Sequence, residues 1–410
     1  MKGKFFKRRS GISSVFLTII LFSLVMLVFS FIKLAISTGG IGYSNSVLNL
    51  AGRSVLSEFN VHLKEEYGIF AFAGFEPDID QKLGRYAGYT FDNNKNLKLG
   101  IISSTTAGYR LGDTQIFEKE IFEYAKYALA RGLFKKIVSP KDEEVGTVLM
   151  GENIGRTLRN SIIINSLPSG GRKNNVSLLA RMKNAKNNIS EILSSGTKKY
   201  LIDRYIINKF KSRQNQDIGK ETFFKFEVEY ILYGKRGDKE NTVAVKRTLT
   251  FFRNFMNFTS IWLDGSLRQK VITAGQILGT GPASELASLT IAEAWALAEA
   301  KNDMKILEKG ERVPLVKNKD TWAVSIKNII KNKKVKFINM KHAGGLTYQG
   351  YLRAMLYLQE NSIKYHRMMD LMQINIQGKY DKDFLVKEHN LGFEFGAEVS
   401  GKKYRYEEKY

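Results

Sequence analysis

Cysteine is absent from this 410-residue chain. That excludes disulfides, thiolate metal sites, thiol catalysis and a lipid carried on a lipobox cysteine. Large domains with adequate cores fold without disulfides even in oxidising surroundings. Proline is scarce, at 5, and no long Ser/Pro linker or fixed-period repeat is present. Histidine is limited to His62, His342, His366 and His389. They show no HExxH or other paired spacing, so no metal site and no cofactor is expected. Acid is short relative to base, at 40 Asp and Glu against 64 Lys and Arg, and the net charge is +24. Nucleic acid is one partner for a basic chain. Anionic lipid headgroups or wall polymers are others, and a solvated Lys-rich surface is the plain alternative.

Catalytic signatures are also missing. There is no GxSxG and no Walker P-loop. GTGPAS (279–284) is Gly-rich but lacks a lysine, and reads as a loop with Pro282 opening a helix. Asp264, Glu285, Glu293 and Asp303 read as surface acids on helices. Arg236-Gly237-Asp238 reads as a turn before a helix cap. No catalytic residue is assigned, and a non-enzymatic protein is expected.

What is present begins with VFLTIILFSLVMLVFSFI, Val15 to Ile32, with no charge before Lys33. As a helix it covers about 27 Å, close to the roughly 30 Å hydrocarbon core of a bilayer. Val15, Leu21, Val25, Leu27 and Phe31 are its apolar bulk, and the span is taken as 15–36 because Lys33 can snorkel. Lys2, Lys4, Lys7, Arg8 and Arg9 precede it with no balancing acid. The positive-inside rule then puts a basic tail, residues 1–14, in the cytoplasm and the bulk of the chain outside the cell membrane. That topology argues against nucleic acid. A cleaved signal peptide, cut at Ala35-Ile36-Ser37, is the competing reading, although the apolar core of such peptides is usually shorter. A cut after Gly11, as in prepilins, would leave Phe16 where those proteins usually carry a glutamate.

Residues 37–66 read as a Gly/Ser hinge followed by a juxtamembrane amphipathic helix capped at Ser44 or Ser46. Val47, Ala51, Val55 and Phe59, with Leu48, form its apolar stripe and are the candidate assembly face. Residues 67–410 read as one continuous extracytoplasmic domain. Tyr67–Phe72 reads as a short strand, and weak strands are expected near 86–91 and 97–103. Helices are expected near 113–133, with Asp113 as cap, and near 143–165, 175–194 and 197–211. Residues 223–234, FFKFEVEYILYG, alternate apolar and polar and predict a strand. Long helices follow near 238–262, 266–278 and 283–308, and one more from Thr347 through 376. Trp262, Trp295 and Trp322 are expected in the core. The last residues predict a hairpin turning at Ser400-Gly401, with Phe393 and Phe395 packed on the sheet that holds Phe226 and Val228. The fold class is α+β: an N-terminal transmembrane helix and a mixed domain with a small, mainly antiparallel sheet.

Five blocks in this order carry a resemblance: YGIFAF (67–72), FEVEYILYGKRGDKEN (226–241), AWALAEAKNDMKILEKGERVPLVKNKDTW (294–322), GLTYQGYLRAML (345–356) and RMMDLMQINI (367–376). GISSVFLTIIL near the start adds to it. They resemble the uncharacterised envelope proteins of Gram-positive bacteria encoded beside tight-adherence (Flp-type) pilus genes. The resemblance implies a membrane-anchored, outward-facing, minor pilin-like protein with protein partners in a pilus assembly. It implies no catalytic residue. The alternative is an envelope binding protein or adhesin that takes anionic wall polymers through its basic surface.

Overall fold

A computed structural model describes residues 10–131, 156–170, 177–186, 198–216 and 218–410. The chain divides into two compact units. The first comprises residues 1–59, 71–109 and 390–410; the second comprises 60–70 and 110–389.

The first unit is organised on helix α1, Ser10–Leu56. It is long and apolar enough to cross a membrane, and its best 18-residue window reaches a mean hydropathy of 2.9. Its few hydroxyls are satisfied within the helix: Thr18, Ser23 and Ser30 donate to the carbonyls of Val15, Ile19 and Met26 at 2.8, 2.9 and 2.8 Å. Such back-bonding is what a polar side chain needs in hydrocarbon. The expected hinge at 37–46 is absent, because α1 runs through Gly39, Gly40 and Gly42 without a break. Ser44 and Ser46 do not cap; their hydroxyls donate to the carbonyls of Gly40 and Gly42. A helical glycine costs about 1 kcal/mol relative to alanine. Packing just beyond offsets that cost: Ser44 and Leu48 are fully buried, and Tyr43 meets Phe91 edge-on at 6.4 Å.

Helix α2, Glu76–Phe91, starts with a proline in its first turn and with Asp78 accepting from the Phe75 N–H at 3.1 Å. It overturns the weak strand expected near 86–91. Its buried face is Ile79, Leu83, Ala87 and Phe91. Strand β1 (Leu99–Thr105) lies antiparallel to β2 (Gly392–Val399), which lies antiparallel to β3 (Lys402–Lys409). The hairpin turns at Ser400-Gly401 as the sequence predicts, with φ of 49° and 80°. Phe395 pairs with Tyr406 and Ala397 with Tyr404. Phe393, Phe395, Ala397 and Val399 face the core with Leu48, Ala51, Val55 and Phe72. Phe226 and Val228 are not in this sheet, so the expected packing partner of the phenylalanines is corrected to α1 and α2.

The second unit is helical. The segment 63–67 forms a π-turn rather than the start of a strand, and it stops at Gly68, φ 74°. A Cβ at Gly68 would lie 2.0 Å from the Tyr124 ring, so only glycine fits. Helix α3, Thr114–Ala130, is capped as expected by Asp113, which accepts from Gln115 N–H at 2.8 Å. Of the helices expected near 143–165 and 175–194, the described helical parts are α4, Ser161–Ser166, and α5, Leu178–Asn184; residues 156–160 are extended rather than helical, with Thr157 in a bridge to Gly237, and 143–155, 175–176 and 187–194 lie outside the described residues. Helix α6 is Lys198–Lys209.

The expected strand at 223–234 is instead helix α7, Glu227–Tyr233. Its alternation misleads because the polar positions are not wet: Glu227 and Glu229 are as buried as Val228 and Ile231. Glu227 accepts the Lys211 N–H at 2.8 Å and Glu229 the Arg213 N–H at 3.1 Å. Helices α8 (Asp238–Leu263), α9 (Gly265–Leu278) and α10 (Pro282–Glu308) match the expected periodicity. Trp295 and Trp322 are buried in ring contact at 4.7 Å, and Trp295 Nε1 donates to the Val324 carbonyl at 2.7 Å. Trp262 packs at the edge of that cluster. After the short α11 (Ile326–Ile330), the helix expected from Thr347 to 376 is two, α12 (Tyr348–Leu358) and α13 (Asn361–Lys379), parted at Gln359 and Glu360.

Truncating the β2 aromatics tests the first core. Phe393→Ala or Phe395→Ala is expected to cost about 3–5 kcal/mol, and Leu48→Ala on α1 about 2–5 kcal/mol. Denaturant unfolding of the detergent-solubilised chain, followed by tyrosine and tryptophan signals, measures this. An unchanged transition in Leu48→Ala would show that α1 does not share the core of the sheet.

Candidate functional site

Two regions carry chemistry beyond ordinary packing: the bare half of α1, and the buried charges of the helical unit. The residues expected to form the anchor, Val15, Leu21, Val25, Leu27 and Phe31, all lie between 56% and 63% exposed. Nothing in the described chain covers that apolar surface. The stripe below it behaves differently. Ala51 and Val55 are buried in the core of their own unit, and Val47 packs against it. Phe59 is half-buried and bridges Phe72, with its ring edge-on to Tyr410 at 6.4 Å. On α1 at this level, the large apolar side chain left bare is Leu50, 66% exposed.

The charged cluster sits between α8 and α10. Arg253 and Asn257 are one turn apart on α8, and Glu299 and Asp303 one turn apart on α10; all four are buried. Lys317 reaches in from the segment after α10 and lies 2.5 Å from both Glu299 and Asp303. Arg253 meets Asp303 at 3.0 Å, donates to Tyr351 Oη at 3.1 Å and donates to the Leu315 carbonyl at 2.9 Å. Glu299 also accepts the N–H groups of Ala323 and Val324 at 3.0 and 2.7 Å. Burial alone would push the Asp303 carboxyl up, but Arg253 and Lys317 outweigh it and hold it below the usual carboxylate range. Burial pushes Glu299 above that range. Asp303 is therefore not the surface acid that the sequence suggests. Asp264 is a half-buried helix cap accepting from Leu267 N–H at 2.9 Å, and Glu293 accepts from Asn254 at 2.6 Å.

Beside this cluster lies a cleft of about 590 Å³, lined by Pro314, Leu315, Met340, His342 and Leu346 among others. Its wall is set by a close approach: a Cβ at Gly345, φ 111°, would fall 2.4 Å from the Val313 carbonyl. Burial, then Lys317, lower the His342 pKa, and its buried Nε2 has no hydrogen-bond partner among the described residues. Among the described residues no group of three or more His, Asp or Glu could hold a metal ion. The signal missed in the sequence is charge inside an apolar stripe: Glu299 and Asp303 share a helix with buried Ala296, Ala300 and Leu307.

Other buried acids titrate near neutrality. Burial pushes Glu229 up to about 7 and Asp370 up to about 6, from ordinary values of 4.5 and 3.8. The fold therefore holds protons that the unfolded chain releases. Their contribution is full below about pH 4 and is lost as pH rises towards about 7. Glu229→Gln and Asp370→Asn are each expected to flatten that decline in melting temperature; an identical pH slope in both variants would contradict it. Lys317→Met leaves Glu299 without its cation and Asp303 with Arg253 alone, and is expected to cost about 3–5 kcal/mol. A second change, Glu299→Gln, should recover part of the loss in the same thermal melt.

No curated protein and no solved structure matches the chain. A family of unknown function, DUF5702, matches residues 131–401, well over half of the sequence and most of the helical unit. The chain belongs to the DUF5702 family.

Proposed function

We propose that this protein is a non-enzymatic, membrane-anchored component of a pilus-type envelope assembly, with its N-terminus in the cytoplasm and its bulk outside. One observation carries the reading: α1 is a single helix whose first half is bare and apolar while its second half is built into an antiparallel-sheet core. A helix of that kind can exchange lipid for the apolar helices of neighbouring subunits without unfolding its own domain. The resemblance to envelope proteins encoded beside Flp-type pilus genes supports the same role. The orientation follows from the five N-terminal cations. Since the Ala51 and Val55 stripe is occupied by its own core, the assembly contact falls on the bare arm and on the Leu50 side of α1. A second reading, a receptor for anionic wall polymers, is favoured by the exposed lysines at 331, 333, 334, 336 and 341.

Val25→Asp with Leu27→Asp is expected to prevent insertion, at about 2.5–3.5 kcal/mol per central charge. External protease on protoplasts should remove the wild-type bulk; a protected bulk would overturn the orientation. Leu50→Cys, in a chain with no other cysteine, should give bismaleimide crosslinks to a second polypeptide in intact cells. Free labelling at that site without a crosslinked partner would count against assembly, and lost wall retention with normal filaments in a deletion strain would favour the polymer receptor.

A further inference from the structure

A groove of about 520 Å³ lies in the helical unit where α8, α10 and the segment after α11 meet. Five lysines stand in its lining: Lys246 on α8, Lys301 and Lys305 on α10, and Lys334 and Lys336 on the segment. All five are exposed. Among the described residues no acid lines the groove. Lys246 is tied to Glu308 at 2.7 Å. The other four have no carboxylate within ion-pair distance among the described residues.

The groove is held by a buried clamp. Asn302 on α10 donates through Nδ2 to the Ile338 carbonyl at 3.0 Å and accepts the Ile338 N–H through Oδ1 at 2.9 Å. The chain turns into the segment at Asn332, φ 46°, and the Lys333 N–H donates to the Asn328 carbonyl at 2.9 Å. Exposure then alternates along 334–337: the lysines are exposed, while Val335 and Phe337 are half-buried. Leu297, Ala298 and Val335 give the groove an apolar floor, and Ala298 and Val335 rest on the Trp295 and Trp322 cluster. Lys301 and Lys305 are one helical turn apart, where like charges oppose each other. Cationic walls over an apolar floor, with no acid between them, suit a ligand that repeats its negative charge along a carbon chain.

We propose that this groove binds a linear polyol phosphate, a chain of phosphodiesters joined by short hydroxylated carbon links. The proposal rests on the reading of the protein as a receptor for anionic wall polymers, and gives that receptor a site and a ligand class. The phosphates meet the ammonium groups of Lys301, Lys305, Lys334 and Lys336, and the carbon links lie on the Leu297 and Val335 floor. The cations themselves favour phosphate. All are lysines, which act as point charges on phosphate, whereas a carboxylate is best held by the planar fork of arginine, and no arginine lines the groove. Single-stranded nucleic acid binds by stacking its bases on open aromatic faces. Phe337 supplies the aromatic ring of this lining, and Lys309 Nζ already lies 4.3 Å from its centre.

The full chain, purified in a non-ionic detergent, is titrated with a fluorescein-labelled glycerol phosphate oligomer, and anisotropy is followed at several salt concentrations. Lys301→Gln with Lys305→Gln is expected to weaken binding about tenfold or more, and to lower the slope of log affinity against log salt by about 0.7 for each cation removed. Lys331→Gln with Lys341→Gln removes the same charge outside the groove lining and should change affinity far less. Both pairs are exposed, so neither is expected to disturb folding. An oligoglutamate and a single-stranded oligonucleotide of equal charge should bind more weakly than the polyol phosphate. Equal losses in the two double variants would overturn the groove while leaving the polymer-receptor reading intact. Binding of the oligoglutamate or the oligonucleotide as tight as that of the polyol phosphate would overturn the ligand class. A wild-type chain that binds none of the three would overturn the groove and the receptor reading together.

Discussion

A helix buried on every face and yet rich in charge must find its partners inside the protein. Helix α13 has this problem, with Lys364, Arg367, Asp370, Gln373 and Asn375 all buried. The helical unit is arranged around the solutions. Lys364 pairs with Asp203 on α6 at 2.5 Å. Arg367 donates to the Ile231 carbonyl at 3.0 Å, and Asp370 accepts from Tyr230 Oη and Ser169 N–H, each at 2.8 Å. Gln373 donates to Ser166 Oγ at 2.9 Å. Removing either member of such a pair leaves an uncompensated buried charge, which is costlier than never having had the pair. The geometry of these contacts fixes where α6 and α7 stand relative to α13.

The first unit answers a simpler demand. Its helix α1 has a half that suits hydrocarbon and a half that suits a protein core, and no loop separates them. A three-stranded sheet and α2 cover only the second half. The two halves differ in what surrounds them rather than in backbone, since the hydroxyls of both return to carbonyls of the preceding turn.

The elements legible in the sequence are those whose burial pattern is one-sided. The 392–409 hairpin, α8, α10, the cap at Asp113 and the helix start at Pro282 follow from period, turn chemistry and capping alone. Periodicity fails where polar residues are buried. It reads α7 as a strand because Glu227 and Glu229 imitate a wet face, and it reads Asp303 as a surface acid because its cations lie 14 and 50 residues away. Composition also fails at 37–46, where glycine and serine suggest a flexible joint but tertiary packing on Leu48 and Tyr43 carries the helix through. The candidate site was legible only as an apolar N-terminal span; the clustering of Arg253, Glu299 and Lys317 depends on long-range contacts that no local pattern encodes.

The unbroken backbone of α1 indexes the sheet unit to the apolar half of the helix like a key on a shaft. Each residue of an α-helix turns the chain by about 100° and advances it by about 1.5 Å. One residue inserted between Ile36 and Tyr43 would therefore rotate the sheet and α2 by more than a quarter turn about the axis of the apolar half, with the contacts made beyond Tyr43 intact and the Ser37–Lys402 hydrogen bond displaced. Seven inserted residues would nearly restore the original phase while lifting the unit by about 10 Å. Length and azimuth in this segment are thus set together, and glycines that suggest slack in a loop hold angular register in a helix.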